Sequence, residues 1–293
     1  MKPYPWPDGA RSVVLLTVNF DAESFDLKDT SPERLFGRYS YGRYGVRAGL
    51  PRLLDLFARH GVPATFFVPG DDARRHSALV REIAASGHEI AARGLAMENF
   101  ATLGDKEMEV LRTSQAILAD VTGHAPQGFR APGGELSPRT LGHLTDMGFL
   151  YDASFQDADY PYVYALQGGK TLVELPSVFA LDDGPIYAAR HTHARLRAIW
   201  EDEIRAAHAE GILIPITMHL RGDFGSTRAA RIAVLDDLLA LLKQLGGVRF
   251  MTCAQLATHA LSLGLPTQPD PYLAHADTLA HAVYRGDLSV KPL

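Results

Sequence analysis

Apolar residues along this chain fall into short unbroken runs, separated by stretches in which they recur every three or four positions. Val13 to Val18 (VVLLTV) is too short for a helix and predicts a buried strand. Leu50, Leu53, Leu54 and Phe57 then recur at helical spacing, and Gly61 closes that helix. Ala64 to Val68 (ATFFV) predicts the next strand, stopped by Pro69-Gly70. Leu79, Val80 and Ile83 mark a second helix before Gly87, and Glu89-Ile90-Ala91 a short third strand. Met108, Leu111 and Leu118 lie on a third helix, and Gly128-Phe129-Arg130 is strand-like. Ser137-Pro138 predicts the N-cap and first turn of a helix through Met147. Leu172 to Leu175, Ile212 to Met218 and Val248 to Met251 complete the strands. Leu235, Leu238, Leu239 and Leu242 stripe a long helix between the last two.

Strands alternating with helices predict an α/β fold of βα units around a parallel sheet or barrel. One domain over residues 1–265 is expected. The weakly periodic stretch 266–293 is expected to pack as an arm on that domain or on a neighbouring subunit. Functional groups of such barrels gather at the carboxyl ends of the strands. That rule selects Asn19, Asp21 and Glu23 after the first strand, and Arg93, Met97 and Glu98 after the third. It adds Arg130 after the fourth strand and His219 after the seventh.

Composition narrows the possibilities. With 293 residues, 46% of them hydrophobic and 22% charged, the chain can bury a core without staples. Its single cysteine, Cys253, excludes an internal disulfide and a cysteine-based metal cluster. A net charge of −5 supplies no basic field, so neither nucleic acid nor an anionic membrane is an expected partner. No apolar run approaches the ~20 residues of a membrane span. Residues 1–12 lack the apolar stretch of a secretion signal, so a cytoplasmic protein is expected.

Seven ordered blocks then carry a resemblance. They are TVNFDAES (17–24), RYGVRAGLPRLLDLFARHGVPATFFVPG (43–70), GHEIAARGLAMEN (87–99), GFRAPGGELSP (128–138), GFLYDAS (148–154), LVELPSVFALDD (172–183) and TMHL (217–220). Together they resemble the polysaccharide deacetylase superfamily, the NodB-homology fold, over residues 10–260. The resemblance implies a distorted seven-stranded (β/α) barrel of the glycoside hydrolase/deacetylase type. Metal-dependent members hold zinc with one aspartate and two histidines of a His-x-x-x-His segment, beside a second aspartate that acts as base. Aligned on that segment, Arg93 and Met97 stand where the histidines belong. A guanidinium cannot ligate a cation, and a thioether is a poor zinc ligand. The first-strand acids are also incomplete, with Asn19 in place of the base in one register or Ala22 in place of the ligand in the other. No metal and no other cofactor is expected.

The Arg43-Tyr44-Gly45-Val46-Arg47 segment, the LVELPSVFALDD segment and the Asn19-Phe20-Asp21 triplet are most similar to the allantoinase and cyclic imide hydrolase branch. That likeness implies a hydrolase of non-peptide carbon–nitrogen bonds, opening a small cyclic amide or imide by acid–base catalysis without metal. Asp21 is expected as base, His219 as proton donor or oxyanion partner, and Arg130 as the group that orients Asp21 or substrate. Asn19, Glu23, Arg93 and Glu98 are expected to contact the ring, with Phe20, Tyr160, Tyr162 and Tyr164 as walls of a flat pocket. A homodimer or homotetramer is expected. Two rivals remain: a metal-dependent polysaccharide or peptidoglycan N-deacetylase, and a non-catalytic binding protein that keeps the fold.

Overall fold

The computed structural model describes residues 4–28, 37 and 39–272. Its strands are β1 (Ser12–Asn19), β2 (Thr65–Val68), β3 (Glu89–Ala92), β4 (Gly128–Phe129), β5 (Tyr151–Asp152), β6 (Tyr162–Ala165), β7 (Thr171–Glu174), β8 (Ile214–His219), β9 (Val248–Met251) and β10 (Gln268–Pro269). In space β8, β1, β2, β3, β4, β5 and β7 follow one another and pair in parallel. β6 joins β7 antiparallel, β10 adds to β6, and β9 pairs with the first half of β1. The result is the expected distorted (β/α) barrel, with three strands beyond the parallel seven.

β1 is buried along its whole length, and its two faces serve different cores. Val14, Leu16 and Val18 face outward, in the cluster that holds Phe57, Ile83, Leu118, Trp200 and Leu238 of the surrounding helices. Val13 and Leu15 face the barrel interior with Phe67, Ala91, Tyr151 and Val173. The unbroken apolar run is therefore two alternating stripes, as a strand covered on both sides requires.

Three elements depart from the expected pattern. The helix His193–Glu210 buries only Leu196, Trp200, Ile204 and Ala207, a thin stripe among charged positions that composition hides. The helix after Ser137 begins at Thr140, because Ser137 and Thr140 turn their hydroxyls onto the buried Glu107 carboxylate. Tyr162 and Tyr164 belong to β6. Of the expected arm, β10 lies on β6 and the Tyr272 hydroxyl donates to the Leu136 carbonyl at 3.3 Å; residues 273–293 lie outside the described residues. Among the described residues no helix is long and apolar enough to cross a membrane.

Candidate active site

The same twofold alternation that builds the core places the site. Beyond Val13 and Leu15, the next inward positions of β1 are Thr17 and Asn19, at the strand's carboxyl end. On β8 the matching inward residues are Thr217 and His219, in register with Thr17 and Asn19. One step past Ala91 of β3 comes Arg93, and one past Gly128 comes Arg130. Gly128 itself has to be glycine, since a Cβ there would lie 1.8 Å from the Tyr151 ring. Asn19, Arg93, Arg130, Thr217 and His219 line a cleft of about 430 Å³, together with Asp21, Phe25, Phe179, Asp182 and Phe224.

His219 is held from both sides. Its Nδ1 lies 2.7 Å from Asp183 Oδ1, and Asp183 also accepts the His219 backbone N–H at 3.0 Å. Its Nε2 lies 3.1 Å from Asn19 Nδ2 and 3.7 Å from Asp21 Oδ2. Gly184 permits this approach, because a Cβ there would come within 2.9 Å of His219 Cε1. Burial alone would lower the histidine's pKa. The Asp183 hydrogen bond and the charges of Asp182, Asp183 and Asp21 outweigh it and raise His219 to about 8.

Asp21 is held differently. Burial pushes its carboxyl upward, but the charges of Arg93, His219 and Arg221 prevail and hold it below the usual carboxylate range. Arg93 Nε donates to Asp21 Oδ1 at 2.9 Å. Asp21 Oδ2 is buried and receives no hydrogen bond from any described residue. The following turn is fastened by Asp72, which accepts from the Ala22 and Ser24 amides at 3.1 and 3.0 Å.

Arg130 does not touch Asp21, contrary to one of its two expected roles. Its Nε donates to the Ala153 carbonyl at 2.9 Å, and its Nη1 to Thr17 Oγ1 at 2.9 Å and Asn19 Oδ1 at 3.4 Å. That last contact turns the Asn19 amide so that Nδ2 faces His219.

Asn19, Asp21, Arg93, Arg130 and His219 thus converge in one cleft, and six other expected residues lie elsewhere. Phe20 points outward into the helical core and is fully buried. Glu23 Oε2 pairs with His76 Nε2 at 2.7 Å. Glu98 accepts the Leu95 and Ala96 amides at 3.0 and 2.8 Å. It thereby fixes the turn in which Met97, a residue that lines the cleft, takes a left-handed φ of 67°. Tyr160 stacks on Tyr4, while Tyr162 bonds Asp157 and Tyr164 on β6. None of these six lines the cleft. Asp183 is not among the expected residues, because adjacent acids on a loop carry the pattern of turn caps. Asp182 is such a cap, accepting the Gly184 amide at 2.8 Å. Its neighbour binds the histidine.

The zinc site of metal-dependent family members does not fit these residues. Asp21 is the available carboxylate, and a guanidinium already occupies one of its oxygens. Asp182, Asp183 and His219 have ligand atoms within 4.8 Å of one another, but Asp183 is committed to the imidazole and backbone of His219.

A family model for polysaccharide deacetylase matches residues 39–151. The peptidoglycan deacetylase of Helicobacter pylori is 29% identical over 251 residues, which are 74% of this chain and 85% of that protein. A crystal structure from Mycobacterium smegmatis, described as a polysaccharide deacetylase, is 35% identical with a TM-score of 0.84, over 91% of this chain and 96% of that one. An allantoinase crystal structure is 25% identical with a TM-score of 0.79, over 88% and 92%. Deacetylases hydrolyse carbon–nitrogen bonds other than peptide bonds, so the expected reaction class stands. The expected ring-opening of a small cyclic imide or amide is corrected, because the curated relatives are named deacetylases of peptidoglycan and of chitooligosaccharide. The tyrosine-walled flat pocket that supported it is also absent from the described cleft. On a solved relative 35% identical over nearly its whole length, this chain belongs to the polysaccharide deacetylase family.

Proposed function

We propose that the chain removes an acetyl group from the nitrogen of an N-acetylated amino sugar, with Asp21 and His219 carrying the proton transfers. One observation carries this reading: the unbonded Asp21 Oδ2 stands 3.7 Å from His219 Nε2 on the floor of the cleft. An ionised carboxylate there accepts a proton from the attacking water. The imidazole beside it, once protonated at Nε2 in place of accepting the Asn19 amide N–H, donates to the departing nitrogen. Each group is biased to the required state at neutral pH, Asp21 by Arg93 and His219 by Asp183. A carboxylate held low is a weak base. The fixed charge of Arg93 compensates by stabilising the anion that forms on the attacked carbonyl. Phe25, Phe179 and Phe224 around the cleft offer apolar surface to a sugar ring.

Within the family, we place the chain with the metal-lacking, allantoinase-like members, a statement of ancestry and not of substrate. The likeness to the allantoinase structure and the Arg93–Asp21 pair support it. The test measures acetate released from N-acetylglucosamine oligomers and peptidoglycan fragments, with and without chelator, by the unmodified chain and Asp21→Asn. Acetate release that survives chelation and disappears in the variant is expected. No release, or ring opening of allantoin or a cyclic imide without release from any acetylated sugar, would overturn the proposal.

A further inference from the structure

Three arginines are buried in the described residues, and their partners differ. Arg93 pairs with Asp21. Arg221 forms a fork with Asp26 at 2.9 and 3.0 Å and a second with Asp223 at 3.0 Å. Arg130 is 7% exposed and has no carboxylate within 4.0 Å among the described residues. Its Nε and Nη1 are bound to neutral oxygens of Ala153, Thr17 and Asn19, and the guanidinium lies 4.1 Å from the centre of the Phe67 ring. Its Nη2 has no acceptor among the described residues, and the side chain lines the cleft.

A buried cation with no carboxylate in contact is costly; the charge of Asp182 in the same cleft acts on it only from a distance, and the neutral acceptors orient it without neutralising it. Residue 19 is the position that could have supplied the charge, and it is an amide. We propose that the free edge of Arg130 is a carboxylate-binding site, and that the anion missing from the protein arrives with the ligand. The two N–H groups of Nη2 are the donors left for that carboxylate, and the three contacts through Nε and Nη1 fix the guanidinium's plane around them. The carboxylate has two possible sources: acetate, on the deacetylase reading above, or an acid group borne by the sugar itself.

The test is binding to the full chain, measured by calorimetry and thermal shift at low ionic strength, and it needs no turnover. Acetate is compared with neutral acetamide, and N-acetylmuramic acid with N-acetylglucosamine, which lacks the lactyl carboxylate. Saturable binding of the acids, at least tenfold tighter than their neutral counterparts and weakened at least tenfold in Arg130→Gln, is expected. Binding of N-acetylmuramic acid well above that of acetate assigns the anion to substrate; equal or weaker binding assigns it to released acetate. Arg130→Lys, which keeps the charge and loses the fixed Nη2 donors, is the second variant should the first not fold, and it is expected to bind acetate more weakly than the unmodified chain. Indistinguishable responses to acetate and acetamide, or full acetate affinity in a folded Arg130 variant, would overturn the inference. Acetate binding without turnover on any acetylated sugar would instead defeat the proposed function and leave this site standing.

Discussion

Two sets of buried acids lie at the same end of the barrel, and their pKa values are moved in opposite directions. Asp21, on the loop inside the cleft, is held below the usual carboxylate range. Asp152 and Glu174, neighbours across β5 and β7, are equally buried but lie on the outward positions of their strands. Burial raises Asp152 to about 6, and burial together with the Asp152 charge raises Glu174 well above the ordinary value. Glu174 Oε2 has no hydrogen-bond partner among the described residues, and no described cation pairs with either acid. The pair's hydrogen-bond donors are neutral, the Ser154 hydroxyl at 2.7 Å and the Phe155 amide at 3.1 Å. Depth is common to both sets. What separates them is a guanidinium, which keeps one acid charged and reactive while its absence leaves the other pair part-neutral and structural.

The contrast can be broken from the reactive side first. Asp21→Asn is expected to lower acetate release by about 10²–10⁴-fold, the usual worth of a positioned acid–base group. Steady-state kinetics on the best acetylated sugar would show it. Arg93→Met should turn Asp21 into an acid of the second kind. Stranding a buried charge costs about 3–5 kcal/mol, read from denaturant unfolding at pH 7. In the unmodified chain the lowered Asp21 pKa contributes stability above the ordinary carboxyl range, which is lost as pH falls through the lower folded value. In the variant that dependence should reverse, with stability falling as pH rises.

How far these roles could be read beforehand differs residue by residue. Strand ends pointed to Asn19, Asp21, Arg93, Arg130 and His219, because a short apolar run fixes both a strand and the place where it stops. The same rule could not exclude Glu23 or Glu98, which lie equally close to strand ends. Their hydrogen bonds to His76 and to the 95–96 turn are tertiary. Asp183, 36 positions from His219, gave no local sign of its bond to the imidazole.

Smaller effects sharpen the comparison. Asp183→Asn should let the His219 pKa fall from about 8 toward 6.5, seen by NMR titration, and cut activity at pH 7.5 by about tenfold, since each pKa unit is worth 1.36 kcal/mol. A raised histidine stabilises fully below its unfolded value and loses that contribution as pH climbs through about 8, so the variant should lose the loss as well. Glu174→Gln removes the titrating proton beside Asp152 and keeps the side chain's size. The raised Glu174 pKa contributes stability at acid pH that is lost as pH rises. The variant's unfolding free energy should therefore be flatter with pH and higher by about 1 kcal/mol on the alkaline side.

The order of apolar runs and helical stripes determined the barrel and which end of it would do chemistry, because burial on both faces of a strand leaves a mark in consecutive residues. It also determined that no two histidines stand at the expected metal position. Tertiary structure alone decided that Arg93 takes Asp21, that Asp183 takes His219, and that Arg130 is left without an acid. Those pairings depend on which distant side chains meet at a few ångströms in a low-dielectric interior, and nothing local in the chain encodes that meeting.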